Sequence, residues 1–84
     1  MNIGTVVKSM YGHDAGSFYV IVSDEVEFVT IADGRRRKLS KPKRKNKKHL
    51  SVTKTKATAT ELSTDKKIRQ FLWPFNFGDE KTEL

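Results

Sequence analysis

The sequence predicts a mainly β fold: a small five-stranded barrel followed by one short C-terminal helix. Three observations carry that expectation. Short runs rich in Val, Ile, Phe and Tyr recur through the first 53 residues, glycines and an Asp-Gly pair punctuate them, and a single stretch with helical spacing follows residue 63. A chain of 84 residues makes one domain with a modest core, because at that length only about 60% of the unfolded surface can be buried.

Residues 4–9, GTVVKS, set Thr5, Val6 and Val7 between polar flanks, which is too brief for a helix and suits a strand. Residues 10–16, MYGHDAG, form a loop, since Gly12, Asp14 and Gly16 favour turns. Residues 17–23, SFYVIVS, predict the central strand, with Phe18, Val20 and Val22 on one face and Tyr19 and Ile21 on the other, both mostly apolar. Asp24-Glu25 turns the chain, and in EFVTIA, residues 27–32, Phe28, Thr30 and Ala32 alternate against Val29 and Ile31. Asp33-Gly34 is a hairpin signal, so residues 36–39 are expected to return as a fourth strand, at an edge that long cations protect. Residues 41–48 hold Pro42, Asn46 and no apolar side chain and read as a solvated loop. HLSVT, residues 49–53, offers Leu50 and Val52 to a closing strand.

Val6, Val20, Val22, Val29, Ile31, Leu39, Leu50 and Val52 are the candidate core of a barrel over residues 1–53. Residues 54–62 read as a linker or extended arm. A helix is expected over residues 63–73, capped by Ser63 or Thr64, with Asp65 in its first turn, Ile68, Phe71 and Leu72 on one face, and Trp73-Pro74 as its end. Residues 74–84 are the tail, expected to be partly disordered, over 78–84. Phe75 and Phe77, beyond the proline, are left to dock on the barrel or on a partner.

Charge is distributed in blocks. Ten cationic side chains lie between Arg35 and Lys48 with no carboxylate among them, whereas residues 1–34 hold one lysine against five acids and residues 49–84 hold six cations against five acids. A block this dense raises the potential of nearby surface by several kT, which implies an acidic partner. Charge alone leaves RNA, DNA, an anionic membrane and an acidic protein open. Arg35, Arg36, Arg37 and Arg44 supply planar forks that grip phosphate or stack on an unpaired base, and Lys38, Lys41, Lys43, Lys45, Lys47 and Lys48 supply point charges. Tyr11 and His13, on a glycine-flexible loop, are placed to stack on splayed bases.

Cysteine is absent, which removes a disulfide scaffold, a thiol nucleophile and a cysteine-rich zinc site. No apolar run approaches the roughly 20 residues of a spanning helix, and the first ten residues lack the order of a secretory signal, so a cytoplasmic protein without a membrane partner is expected. Two separated histidines do not make a metal site. No phosphate-loop pattern or nucleophile–base arrangement stands out, so neither enzyme activity, nor a cofactor, nor a small-molecule substrate is expected.

The order of these elements, GTVVKSMYGHDAGSFYVIV, then IADGRRRKL, then KKHLSVT, then a capped helix near STDKKIRQFL, resembles the KOW-domain large-subunit ribosomal proteins of archaeal and eukaryotic type, number fourteen in their series, and their short bacterial relatives. The resemblance covers residues 4 to about 72. It implies an SH3-like barrel that binds ribosomal RNA, with residues 10–16 as one contact surface and Gly12 and Gly16 at the family's glycine positions. Tyr11 and His13 stand where the ribosomal members often carry Arg or Lys. The function expected is RNA binding, to ribosomal RNA, by a monomeric ribosome-associated protein of translation. A basic barrel that binds duplex DNA without sequence preference, and a protein-interaction adaptor working through an open edge or the aromatics of residues 73–77, are the alternatives.

Overall fold

The computed structural model describes residues 1–77, and the disorder expected for residues 78–84 lies outside them. Strands β1 (Thr5–Ser9), β2 (Phe18–Asp24), β3 (Phe28–Ala32), β4 (Lys43–Asn46) and β5 (Leu50–Lys56) form one antiparallel sheet in the order β4-β3-β2-β1-β5, and a single α-helix, α1 (Asp65–Asn76), follows. This is the predicted class, mainly β with one C-terminal helix. The helix is not long and apolar enough to cross a membrane.

The two edge strands, β4 and β5, are consecutive in the chain and joined only by a 3-10 turn, Lys47–His49. In a flat five-stranded sheet those edges stand about 19 Å apart. Three residues rising about 2 Å each cannot span that gap, so the sheet has to curl. A bulge on β2 helps, since Ile21 faces Ile31 and Ser23 faces Thr30, leaving Val22 as the extra residue. The edges nevertheless do not pair with each other, so the sheet stays open where the sequence reading closes it into a barrel.

Curling gives β2 two apolar faces with different partners. Val7, Tyr19, Ile21, Val29, Ile31 and Leu50, all strand residues, form one buried cluster on the inner side of the curled sheet, with Met1 packed against it. Val6 and Val20 point the other way and pack with Ala57, Ile68 and Leu72, joined at the margin by Phe18, Val22, Leu39, Leu62, Phe71 and Phe75. Burying Ile68 and Leu72 contributes roughly 1.5–3 kcal/mol each, which a helix of 12 residues needs because it is marginal on its own. Val52 is not a core residue: it is 54% exposed on the outer edge strand, where β5 has no neighbour to cover it.

The fourth strand is the main correction. Residues 36–39 do not return along β3; that place is taken by Lys43–Asn46, the segment read as a solvated loop. The physical reason lies in who receives the backbone donors. Asp33 Oδ1 accepts from the Arg35 and Arg37 amides at 2.8 and 2.9 Å, and Asp65 Oδ1 accepts from the Leu39 amide at 2.7 Å, so this segment is bonded to an Asx turn and to α1 rather than to the sheet.

Two boundaries also move. The closing strand runs on to Lys56, so residues 54–56 belong to the sheet rather than to a linker, and Ala57 just beyond is buried with its amide donating to the Gly4 carbonyl. Helix α1 begins at its Thr64 cap, whose hydroxyl accepts from the Lys67 amide, but it passes through Pro74 to Asn76. Tertiary contacts override the proline. Phe75 packs on Phe18 with ring centroids 5.4 Å apart, and the Asn76 amide group clasps the Phe18 backbone, accepting from its N–H at 2.9 Å and donating to its carbonyl at 3.3 Å.

Gly34 joins loop to helix. Its φ is +77°, and a Cβ there would run into the Asp65 carbonyl and come within 2.9 Å of the Arg69 amide nitrogen. At Gly16, with φ +92°, a Cβ would meet nothing within 4 Å. Gly34→Ala is therefore expected to cost about 3 kcal/mol against about 1 kcal/mol for Gly16→Ala, the difference being the displaced helix. Denaturant unfolding of the two variants checks this, and equal losses would show that helix packing at Gly34 is slack.

Candidate functional site

The ten cations of residues 35–48 divide into two groups with different surroundings. On β4 the strand's alternation sends Lys43 and Lys45 to one side and Arg44 to the other. Lys43 Nζ donates to Asp14 Oδ2 at 3.1 Å, and Lys45 Nζ lies 3.9 Å from the same oxygen and donates to the Tyr11 carbonyl at 3.3 Å. Arg44 grips Glu25 through Nε and Nη2 at 3.3 and 3.0 Å and lies 3.9 Å from the centroid of the Phe28 ring. Lys47 pairs with Asp24 at 2.9 Å. These four are matched by acids of the β1–β2 loop, the end of β2 and the β2–β3 loop.

Asp14 is the most enclosed of these acids, with its side chain 8% exposed. Burial opposes its ionisation, but the hydrogen bond from Lys43 and the charges of Lys43, Lys45 and Arg37 together outweigh that and hold its carboxyl below the usual value. Lys47 likewise depresses Asp24 and Arg44 depresses Glu25, while Glu25 raises Arg44 further. The β4 cations thus neutralise a row of carboxylates, which is what lets four polar residues serve as a strand.

The second group is the loop between β3 and β4. Arg35, Arg36, Lys38 and Lys41 are exposed and Arg37 is half-buried, and among the described residues none of the five has a salt bridge. Five like charges gathered on one short loop repel one another, which a bound anion would relieve. The loop is held firmly despite that. Asp33, 9% exposed, takes the two amide bonds described above, Asp33 and Gly34 amides both donate to the Arg37 carbonyl, and Arg69 Nη1 donates to the Gly34 carbonyl at 3.3 Å.

Two clefts flank this loop and share Arg36. One, of about 360 Å3, is lined by residues 15–17, Arg35, Arg36, Asn76 and Phe77 together with the buried Tyr19 and Asp33. Burial, together with the nearby Asp14 and Asp33, pushes the Tyr19 hydroxyl up to about 12, so it stays neutral at physiological pH. The other, of about 570 Å3, is bounded by residues 36–38 and 40–43. Arginine forks beside open concavities are suited to holding phosphate or sulfate groups.

Tyr11 and His13 are not brought to these clefts. Tyr11 packs edge-on against His49 with centroids 5.2 Å apart, and its carbonyl is held by Lys45; His13 is exposed. Lys48 is exposed in the 3-10 turn with no salt bridge among the described residues. Among the described residues no three His, Cys, Asp or Glu side chains gather as metal ligands. Sequence reasoning missed the part played by Asp33 and Asp65 in shaping the loop, although an Asp just before Gly-Arg-Arg is a readable Asx signal. No family model matches the chain, and no curated protein is significantly similar to it.

The Asp14 cluster makes a pH prediction. Its folded-state value is depressed, so the stability it contributes is fully present above the unfolded value, near pH 4, and is lost as pH falls through the folded one. Asp14→Asn is expected to cost about 2 kcal/mol at neutral pH, less than a fully enclosed pair because Lys43 keeps access to water. Thermal unfolding should show the variant losing less stability than the parent between about pH 5 and pH 2; parallel curves would mean Asp14 does not carry this dependence.

Proposed function

We propose that the chain is an RNA-binding module of the KOW type, which lays a phosphate backbone across the loop between β3 and β4 and acts on ribosomal RNA, in the cytoplasm, as a monomeric accessory or assembly component. The observation that carries this reading is the contrast within one basic segment: the β4 cations have acid partners, and the five cations of residues 35–41 have none among the described residues. A structural role for charge explains the first set and leaves the second unexplained. Arginine and lysine facing solvent neutralise phosphates and release condensed counterions, which gives affinity whether or not bases are read. Highly charged edges on β4 and β5 also discourage strand pairing between copies, in keeping with a monomer.

The sequence resemblance to KOW-domain ribosomal proteins supports RNA over duplex DNA, and so does the shape of the loop. Its arginines border clefts rather than lying along a helix or ribbon that fits a B-form major groove. Phosphate contacts by about five side chains predict a slope of log K against log salt of about −3 to −4 on single-stranded RNA.

Replacing Arg36, Lys38 and Lys41 together with Ala should flatten that slope by about 2 and weaken binding at low salt, with stability changed by less than about 0.5 kcal/mol. Arg44→Ala should leave affinity nearly unchanged, because that guanidinium is already held by Glu25. Filter binding across a salt series, with duplex DNA as competitor, reads both. Binding that ignores salt, or that Arg44→Ala weakens as much as the triple variant does, would reject the loop as the contact surface.

A further inference from the structure

The continuation of α1 through Pro74 places aromatic rings beside the charged loop. Trp73 and Phe77 stand four residues apart at the end of the helix, with ring centroids 4.5 Å apart at 44°. The Arg35 guanidinium lies 4.8 Å from the centroid of the Phe77 ring on the loop side. Trp73, Phe77 and Arg35 are thus a continuous run of flat groups, from the exposed side of the helix onto the loop. Phe77 and Arg35 also share a wall of the smaller cleft with Arg36.

Trp73 is not holding the fold together. It is 46% exposed, while Ile68 and Leu72 are buried and Phe71 and Phe75 pack at the margin of the same cluster. An exposed tryptophan alone is ordinary. Its continuity with a guanidinium and with four further cations that have no salt bridge among the described residues is what selects an occupant. That occupant has to offer flat π faces and negative charge together, at neighbouring positions along one chain. An apolar peptide meets only the first requirement and a polyphosphate only the second.

We infer that Trp73 is a stacking platform for an unpaired nucleobase, so that the loop binds single-stranded nucleic acid in preference to a duplex. This rests on the reading of the loop as a phosphate-binding surface. Paired bases present no free face, whereas a single strand can place phosphates on Arg36, Lys38 and Lys41 while one base lies on the indole. Stacking is tolerant of base identity, so the platform adds affinity and strand preference rather than sequence.

Trp73 is the sole tryptophan, so its emission reports this site directly. The full chain is titrated with three ligands of equal phosphate number at low salt: a uridine oligonucleotide, the same backbone without bases, and a hairpin duplex, following anisotropy for binding and tryptophan emission for stacking. Expected is strong quenching by the uridine strand only. Trp73→Ala should weaken that strand by roughly tenfold, leave the abasic strand unchanged, and melt at the parent's temperature, with Trp73→Phe restoring most of the loss. Binding of all three without a change in emission, or equal quenching by the duplex, would overturn the platform while the phosphate-binding loop stands. Failure of all three to bind would overturn both.

Discussion

The close approach of Gly34 to the first turn of α1 ties together the three parts of this molecule. Loop, helix and sheet meet there: Gly34 abuts the Asp65 carbonyl, Asp65 in turn accepts the Leu39 amide, and Leu39 reaches the cluster formed by Val20, Ile68 and Leu72. A side chain at position 34 would hold the helix away and release the amides that fix the loop. The conformation of an exposed, mutually repelling group of cations is therefore set by packing on the opposite side of the same segment. Charge decides what the loop can hold, and a missing Cβ decides where it sits.

Electrostatic compensation does separate work on the neighbouring strand. Four residues, Lys43–Asn46, carry three cations and an amide and have little intrinsic tendency to pair. They pair with β3 because Asp14 and Glu25 from loops, and Asp24 from the end of β2, bring carboxylates to β4 and the turn that follows it. Lys45 is the limiting case, since it is 9% exposed and depends on Asp14 and the Tyr11 carbonyl for its partners. Removing the acid leaves a charge short of both water and counterion.

Much of the architecture was legible from the sequence, and the failures have a common cause. Strands one to three and the two-faced character of residues 18–21 followed from alternation of large apolar residues, because local patterning and burial agree there. The fourth strand did not follow, since its pairing depends on acids far off in the chain, Glu25 19 residues before Arg44 and Asp14 29 residues before Lys43. Pro74 marks a helix end by local rules, yet Asn76 clasps the Phe18 backbone across the fold and holds the last turn in place. The basic character of the segment was visible at once; which of its members are neutralised internally was not, because that is decided by tertiary placement. The aromatic pair at 73 and 77 lost its helical spacing as soon as the helix was ended at the proline.

The clasp between Asn76 and Phe18 has a dynamic consequence. It fixes the far end of α1 to the first residue of β2, while Asp65 fixes the near end to the loop, so the helix is stapled at both termini to segments almost sixty and about twenty-six residues upstream. Loop, helix and the outer layer of the core are thereby tied into one unit that is expected to open together, ahead of the inner cluster shared by β1, β2 and β3.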